Sequence, residues 1–174
     1  MYVKEYFKAI IPRIIALLGA DTPESFKRAG AFTLARLLES STATTSQSHA
    51  TPFILDLLHK PFLEDPSQNE NSSVLAVDEA LDRIIVLLAN TDPSPTLIPV
   101  LLAPLVPPLY SLLDHLDHVR TSDPSLKDAV KGLIGTWSKI ASPTKAVEKL
   151  WSLLSTSRMY WQVTLEGSIR KLAQ

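Results

Sequence analysis

The sequence predicts an all-α chain of antiparallel helical hairpins stacked side by side. Three features carry that reading. Apolar residues recur every three or four positions, most plainly at Ile98, Leu102, Leu105, Leu109, Leu112 and Leu116, the spacing that keeps side chains on one helix face. A hydroxyl or carboxylate residue stands directly before proline at Thr22-Pro23, Thr51-Pro52, Asp92-Pro93, Ser94-Pro95, Asp123-Pro124 and Ser142-Pro143. Each pair offers an N-cap acceptor followed by a residue whose missing N–H is harmless in a first turn. Finally, the pattern Leu-or-Ile, two residues, Leu-Leu recurs at 14–18, 34–38, 54–58, 84–88, 109–113 and 150–154, with a further copy at 98–102. An echo spread over separate helices suits a HEAT/armadillo-like α-solenoid fragment, in which each hairpin packs only on its neighbours.

The elements follow in order. Helices are predicted over 2–18, 23–40, 52–60, 74–90, 95–118, 124–141, 143–156 and 159–172. The fifth should kink or break near Pro104 to Pro108, because each interior proline removes a backbone bond and crowds the preceding turn. No run alternates cleanly with β-branched residues, so no sheet is expected. Residues 40–50 are almost all Ser, Thr, Ala and Gln, and 64–73 are polar with Pro66 and two asparagines. Both lack apolar surface to offset ordering and read as mobile loops. The whole of 1–174 reads as one helical-repeat domain.

Two segments imitate membrane or targeting sequences. Ala9 to Leu18 is interrupted by Pro12 and Arg13, which spoils a signal-peptide core. Pro93 to Leu113 holds 21 residues without a charge, but six are proline. Several of those would strip backbone hydrogen bonds inside lipid, so no membrane insertion is expected.

Composition narrows the chemistry. There is no cysteine among the 174 residues, which excludes disulfides, thiol catalysis and cysteine-ligated metals. Seventeen basic residues against eighteen acidic ones give a net charge of −1, so direct nucleic-acid binding is not expected. No Gly-x-Ser-x-Gly elbow is present, and five glycines leave no phosphate-cradling loop. The carboxylates are scattered over the predicted helices. The chain therefore reads as a non-enzyme without cofactors.

One cluster resembles a ligand set: Asp114-His115-Leu116-Asp117-His118 places pairs of ligands three and four apart on a helix. Without a further ligand elsewhere, the better reading is a solvated helix end, where histidines are favoured by the helix dipole. Lys27, Arg28 and Arg36 spread around one helix and read as solvated charges. Trp137, Trp151 and Trp161 fall in the last forty or so residues. Arg158, Tyr160 and Trp161 form a candidate protein-contact patch, since aromatics and arginine anchor interfaces. The competing reading, which is preferred, has Trp137 and Trp151 joining the last helices and Trp161 sealing the core.

Several stretches together resemble a known family. They are Leu87-Leu88-Ala89-Asn90-Thr91-Asp92-Pro93-Ser94-Pro95, then Leu101-Leu102-Ala103-Pro104-Leu105-Val106-Pro107-Pro108-Leu109-Tyr110-Ser111-Leu112-Leu113, with Thr121-Ser122-Asp123-Pro124-Ser125-Leu126-Lys127 and Gly132-Leu133-Ile134-Gly135-Thr136-Trp137. Upstream, Phe26-Lys27-Arg28-Ala29-Gly30-Ala31-Phe32-Thr33 and Leu58-His59-Lys60-Pro61-Phe62 fit as well. They resemble the fungal proteins required for nuclear transport of RNA polymerase II, related to animal transport and Golgi organisation protein 6. The resemblance is strongest over residues 80–165. It implies a HEAT-repeat protein of much greater length, of which this chain is an internal fragment, with no catalytic residues to carry over.

The expected function is accordingly a non-catalytic interaction scaffold that assists RNA polymerase II assembly or nuclear import. Its partners would be polymerase subunits or import factors, and its location cytoplasmic with shuttling to the nucleus. A membrane-trafficking adaptor of Golgi or coat-associated type is the alternative. A third reading is a small bundle with a ligand pocket lined by the proline-rich helix.

Overall fold

The computed structural model describes residues 2–40, 49–64, 75–118, 124–155, 159–164 and 168–172. Among them run eight helices and one two-stranded hairpin: α1 (Tyr2–Ala16), α2 (Glu24–Ser40), α3 (Ala50–Leu63), α4 (Val77–Ala89), α5 (Leu97–Leu102), α6 (Val106–His118), α7 (Pro124–Ile140), α8 (Pro143–Ser155), β1 (Tyr160–Val163) and β2 (Ile169–Leu172). The chain is mostly helical, in keeping with the three- and four-residue apolar spacing.

Several prolines act at helix starts. Pro23 lies just outside α2, and its carbonyl accepts the N–H groups of Phe26 and Lys27 at 2.9 and 3.1 Å. Pro124 and Pro143 open α7 and α8, and the Ser142 carbonyl takes the Ala146 N–H at 2.9 Å. Ser94 Oγ accepts from the N–H groups of Thr96 and Leu97, both at 3.3 Å, at the entry to α5. The Thr51-Pro52 pair does not cap. α3 begins earlier, at Ala50, and buries the Thr51 hydroxyl oxygen without a hydrogen-bond partner. Asp92-Pro93 lies in the connection between α4 and α5 and starts no helix.

The predicted long helix 95–118 breaks as its prolines require. α5 ends at Leu102, the Leu105 N–H turns back to the Leu102 carbonyl at 2.9 Å, and α6 restarts at Val106. Pro107 and Pro108 then fall in the first turn of α6, where a missing N–H is harmless.

The last predicted helix, 159–172, is corrected to a β-hairpin, and the expectation of no sheet falls with it. β1 and β2 pair antiparallel with Tyr160 opposite Leu172 and Val163 opposite Ile169. Trp161 and Ile169 are buried while Tyr160, Gln162, Arg170 and Leu172 are exposed. That is the period-two alternation of a half-buried ribbon. The Thr164 N–H closes the pair on the Ser168 carbonyl at 3.0 Å. Of the predicted loops, Ser40 ends α2, His49 and Ala50 open α3, and Glu64 caps the end of α3. The remainder, 41–48 and 65–73, lies outside the described residues.

One apolar cluster joins the helices. It takes Ile11 and Ile15 from α1, Leu18 from the turn after it, Leu34 and Leu38 from α2, Ile54, Leu58 and Phe62 from α3, and Leu81, Ile84 and Leu87 from α4. Leu101, Leu109, Leu112, Val130, Leu133 and Trp137 extend it through α5, α6 and α7, and Trp161 and Ile169 add the hairpin. In α2 (Leu34, Leu38) and α3 (Ile54, Leu58) the first and last positions of the recurring five-residue pattern are both core, while Ile14, Leu88 and Leu113 of other copies are half-buried. α1 packs on α2 and α3, α2 on α3 and α4, and α3 on α4, while α6 packs on α7, α8 and β1. Gly30 lets α2 approach α1 closely, since a Cβ there would lie 3.2 Å from Leu17 Cβ. The tryptophans divide. Trp137 and Trp161 are buried, but Trp151 is 69% exposed and, with Val147 one turn earlier, faces outward from α8. Its expected role in joining the last helices is corrected.

Candidate functional site

The sequence patch comes apart in the fold. Arg158 lies outside the described residues. Tyr160 and Trp161 are neighbours on a strand and so point to opposite faces. Trp161 is 3% exposed; its Nε1–H donates to Ser111 Oγ at 3.3 Å, and that hydroxyl donates to the Met159 carbonyl at 3.0 Å. This two-bond relay pins β1 to α6 and leaves Trp161 no surface for a partner. Tyr160 is 56% exposed beside Leu172, its cross-strand partner, on the outer face.

The acidic and histidine cluster at the end of α6 is taken up by local contacts. His118 Nδ1–H donates to the Asp114 carbonyl at 2.6 Å, back along the same helix. Asp117 pairs with Lys127 of α7, and the hydrogen bond from that ammonium holds the carboxyl below its usual range. Among the described residues no group of three or more His, Asp or Glu side chains is placed to hold a metal ion.

Grooves open on the surface of the described helices, and two of them are lined by residues singled out above. One, of about 570 Å³, runs between the proline-rich connection and the α7–α8 turn, lined by Pro95, Pro99, Trp137, Ile140 and Lys145. The other, of about 610 Å³, has the outer face of α2 as one wall and the α4–α5 connection as the other. Arg28, Phe32 and Arg36 supply the α2 wall, and Asn90, Thr91 and Asp92 stand opposite. Phe32 is 64% exposed, and the Arg36 guanidinium carbon lies 6.0 Å from its ring centroid. That is a cation–π distance, so the ring and the charge hold each other in place.

This row escaped the sequence reading, which took Lys27, Arg28 and Arg36 as one set of solvated charges. Lys27 does bind locally, to Glu24 at 3.0 Å. Arg28 and Arg36 have no ion pair among the described residues, and they flank Phe32 at intervals of four on a single helix face. That spacing was the available signal. The opposite wall is held by its own chain: Asn90 Nδ2 donates to the Val86 carbonyl and Thr91 Oγ1 to the Leu87 carbonyl, both at 2.9 Å. The Val86 carbonyl also takes the Asn90 backbone N–H at 3.2 Å, so Asn90 closes the end of α4 with both its backbone and its side chain.

No helix of the described residues is long and apolar enough to cross a membrane. Comparison with protein-family models, with curated proteins and with solved structures finds no match to the chain.

Proposed function

We propose that the chain is a non-catalytic protein-interaction scaffold, an α-solenoid segment of HEAT type that assists RNA polymerase II assembly or nuclear import. The observation that carries the scaffold reading is the packing of alternate helices. α1 lies on α3 and α2 on α4, as well as α1 on α2, α2 on α3 and α3 on α4. Stacked hairpins require that pattern, because the first helices of successive pairs form one layer and the second helices another. α5 against α7 and α6 against α8 repeat it in the second half of the chain.

Such a stack presents extended faces to a partner. The near-zero net charge favours a protein over a nucleic acid. The polymerase assignment rests on the family-like stretches around 87–113, 121–127 and 132–137, and these include the α5–α6 break and the buried face of α7. The scaffold would work in the cytoplasm and shuttle to the nucleus. The test is immunoprecipitation of the tagged chain from cells, probed for the largest polymerase subunit and for coat subunits. Co-precipitation of the polymerase, and a lower nuclear fraction of it when residues 80–165 are deleted, is the expected result. Coat subunits without polymerase would replace the assignment with the trafficking one.

A further inference from the structure

We propose that the groove beside α2 docks an extended acidic segment of a protein partner: two carboxylate side chains four residues apart, with an apolar side chain midway between them. The proposal deepens the scaffold reading and rests on it, by giving the partner a chemistry. It begins from spacing. Arg28, Phe32 and Arg36 lie one turn apart on α2, so they rise about 6 Å each along the helix axis. Alternate residues of an extended chain point to one side about 6.7 Å apart. A strand laid along α2 therefore presents carboxylate, apolar group and carboxylate in register with arginine, phenylalanine and arginine.

Charge selects the occupant. Both arginines are exposed and lack an ion-pair partner among the described residues. The guanidinium fork takes a carboxylate through two parallel N–H bonds, a geometry that an ammonium cannot offer. Phe32 gives the central apolar side chain an exposed ring to cover, and Arg36 beside that ring is already held in place. Across the groove, the Thr91 hydroxyl and one of the two Asn90 amide N–H groups are committed to α4 carbonyls. The charged donors for an incoming carboxylate come from the α2 row. Glu39 and Asp92 also line the groove. Asp92, on the opposite wall, opposes an acidic guest that strays from that row, and Glu39, three residues beyond Arg36 on α2, opposes one that runs past its end.

The experiment measures fluorescence anisotropy of a labelled peptide carrying Glu-Ser-Leu-Ser-Glu in a Gly-Ser frame, titrated with the intact chain. Binding is expected to weaken as salt rises from about 50 to about 300 mM. It should also weaken when the central leucine becomes serine and when the two glutamates are placed side by side. Arg28→Glu and Arg36→Glu should each reduce affinity about tenfold or more, as loss of a charge-assisted bond implies. Asp92→Asn should preserve or tighten it. Arg28→Gln and Arg36→Gln serve in place of any reversal that lowers helicity by circular dichroism.

Equal or tighter binding of the Lys-Ser-Leu-Ser-Lys peptide, or affinity unchanged by both arginine substitutions, would overturn the proposal. So would a dimer of the chain that Phe32→Ala dissolves, because the groove would then hold a second copy. Failure of the peptide with polymerase still co-precipitating removes the groove and leaves the scaffold. Peptide binding without polymerase removes only that partner.

Discussion

His59 in α3 donates from Nε2 to the carbonyl oxygen of Leu101 in α5 at 2.8 Å, across forty-two positions of sequence. In an unbroken helix the Leu101 carbonyl would accept from the N–H of Leu105. The proline-driven break sends that N–H to Leu102 instead. His59 thus supplies a donor that the break removed, at a buried position where an unpaired carbonyl is costly. Replacing it with leucine should destabilise the fold by about 1–3 kcal/mol in urea denaturation. His59→Gln, which keeps a donor, should lose less. Equal losses for both would assign the effect to packing alone.

The same histidine gives stability a pH dependence. Burial disfavours its charged form and pushes its pKa below the ordinary value, against a smaller raising effect of the Leu101 carbonyl. The unfolded chain therefore binds a proton at pH values where the folded chain does not. By linkage, stability is full above about 6.5, the ordinary histidine value, and falls as pH drops from there towards the folded-state pKa. The slope in that window is at most that of one proton. His59→Gln should flatten it, and an unaltered slope in urea midpoints between about pH 7 and pH 5 would place the titration elsewhere.

Trp161 and Trp151 should behave as opposites although both sit near the end of the chain. Trp161→Ala removes a buried indole that seals β1 against α6 and should cost about 3–5 kcal/mol. Ser111→Ala breaks both bonds of the relay while leaving the ring in place, so its cost should be nearer 1 kcal/mol. Trp151→Ala should change stability by no more than about 0.5 kcal/mol, as for an exposed residue. In single-tryptophan variants, acrylamide should quench Trp151 readily and Trp161 poorly. Comparable quenching of the two would contradict the burial pattern.

The helices were legible because their burial has one period and proline marks their starts. The hairpin was not, for a reason in its residues. Trp161, Leu165, Ile169 and Leu172 step by four, four and three, which mimics a helix face. The competing signal was short: Trp161 and Val163 in one run, Ile169 and Lys171 in the other, with Glu166-Gly167 between. Tertiary packing on α6 favours the second. Trp151 misled differently, since an aromatic at a helix-periodic position reads as core whether or not a neighbour covers it. As for the groove, the arginine and phenylalanine row was present in the sequence at intervals of four. Its opposite wall comes from residues some sixty positions away, which no local pattern brings alongside α2.

Two helical glycines separate backbone propensity from packing. Gly132 sits inside α7, exposed, and a Cβ added there would meet nothing within 4 Å. Gly132→Ala removes the entropy penalty of a mid-helix glycine without a clash, and should stabilise the chain by about 0.5–1 kcal/mol. Gly30 has the same intrinsic penalty but lies where α2 meets α1. A Cβ there comes within 3.2 Å of Leu17 Cβ and 3.4 Å of the Ile14 carbonyl. Alanine at Gly30 sets the propensity gain against a contact that is too tight. Valine adds two further carbons to a Cβ that is already crowded, so Gly30→Val should destabilise by about 1–3 kcal/mol, as for overpacked cores. Thermal or urea midpoints of the two variants should therefore move in opposite directions. If Gly30→Val matched Gly132→Ala in sign, the close approach of α1 and α2 would be disproved, and with it the packing of the first helical pair.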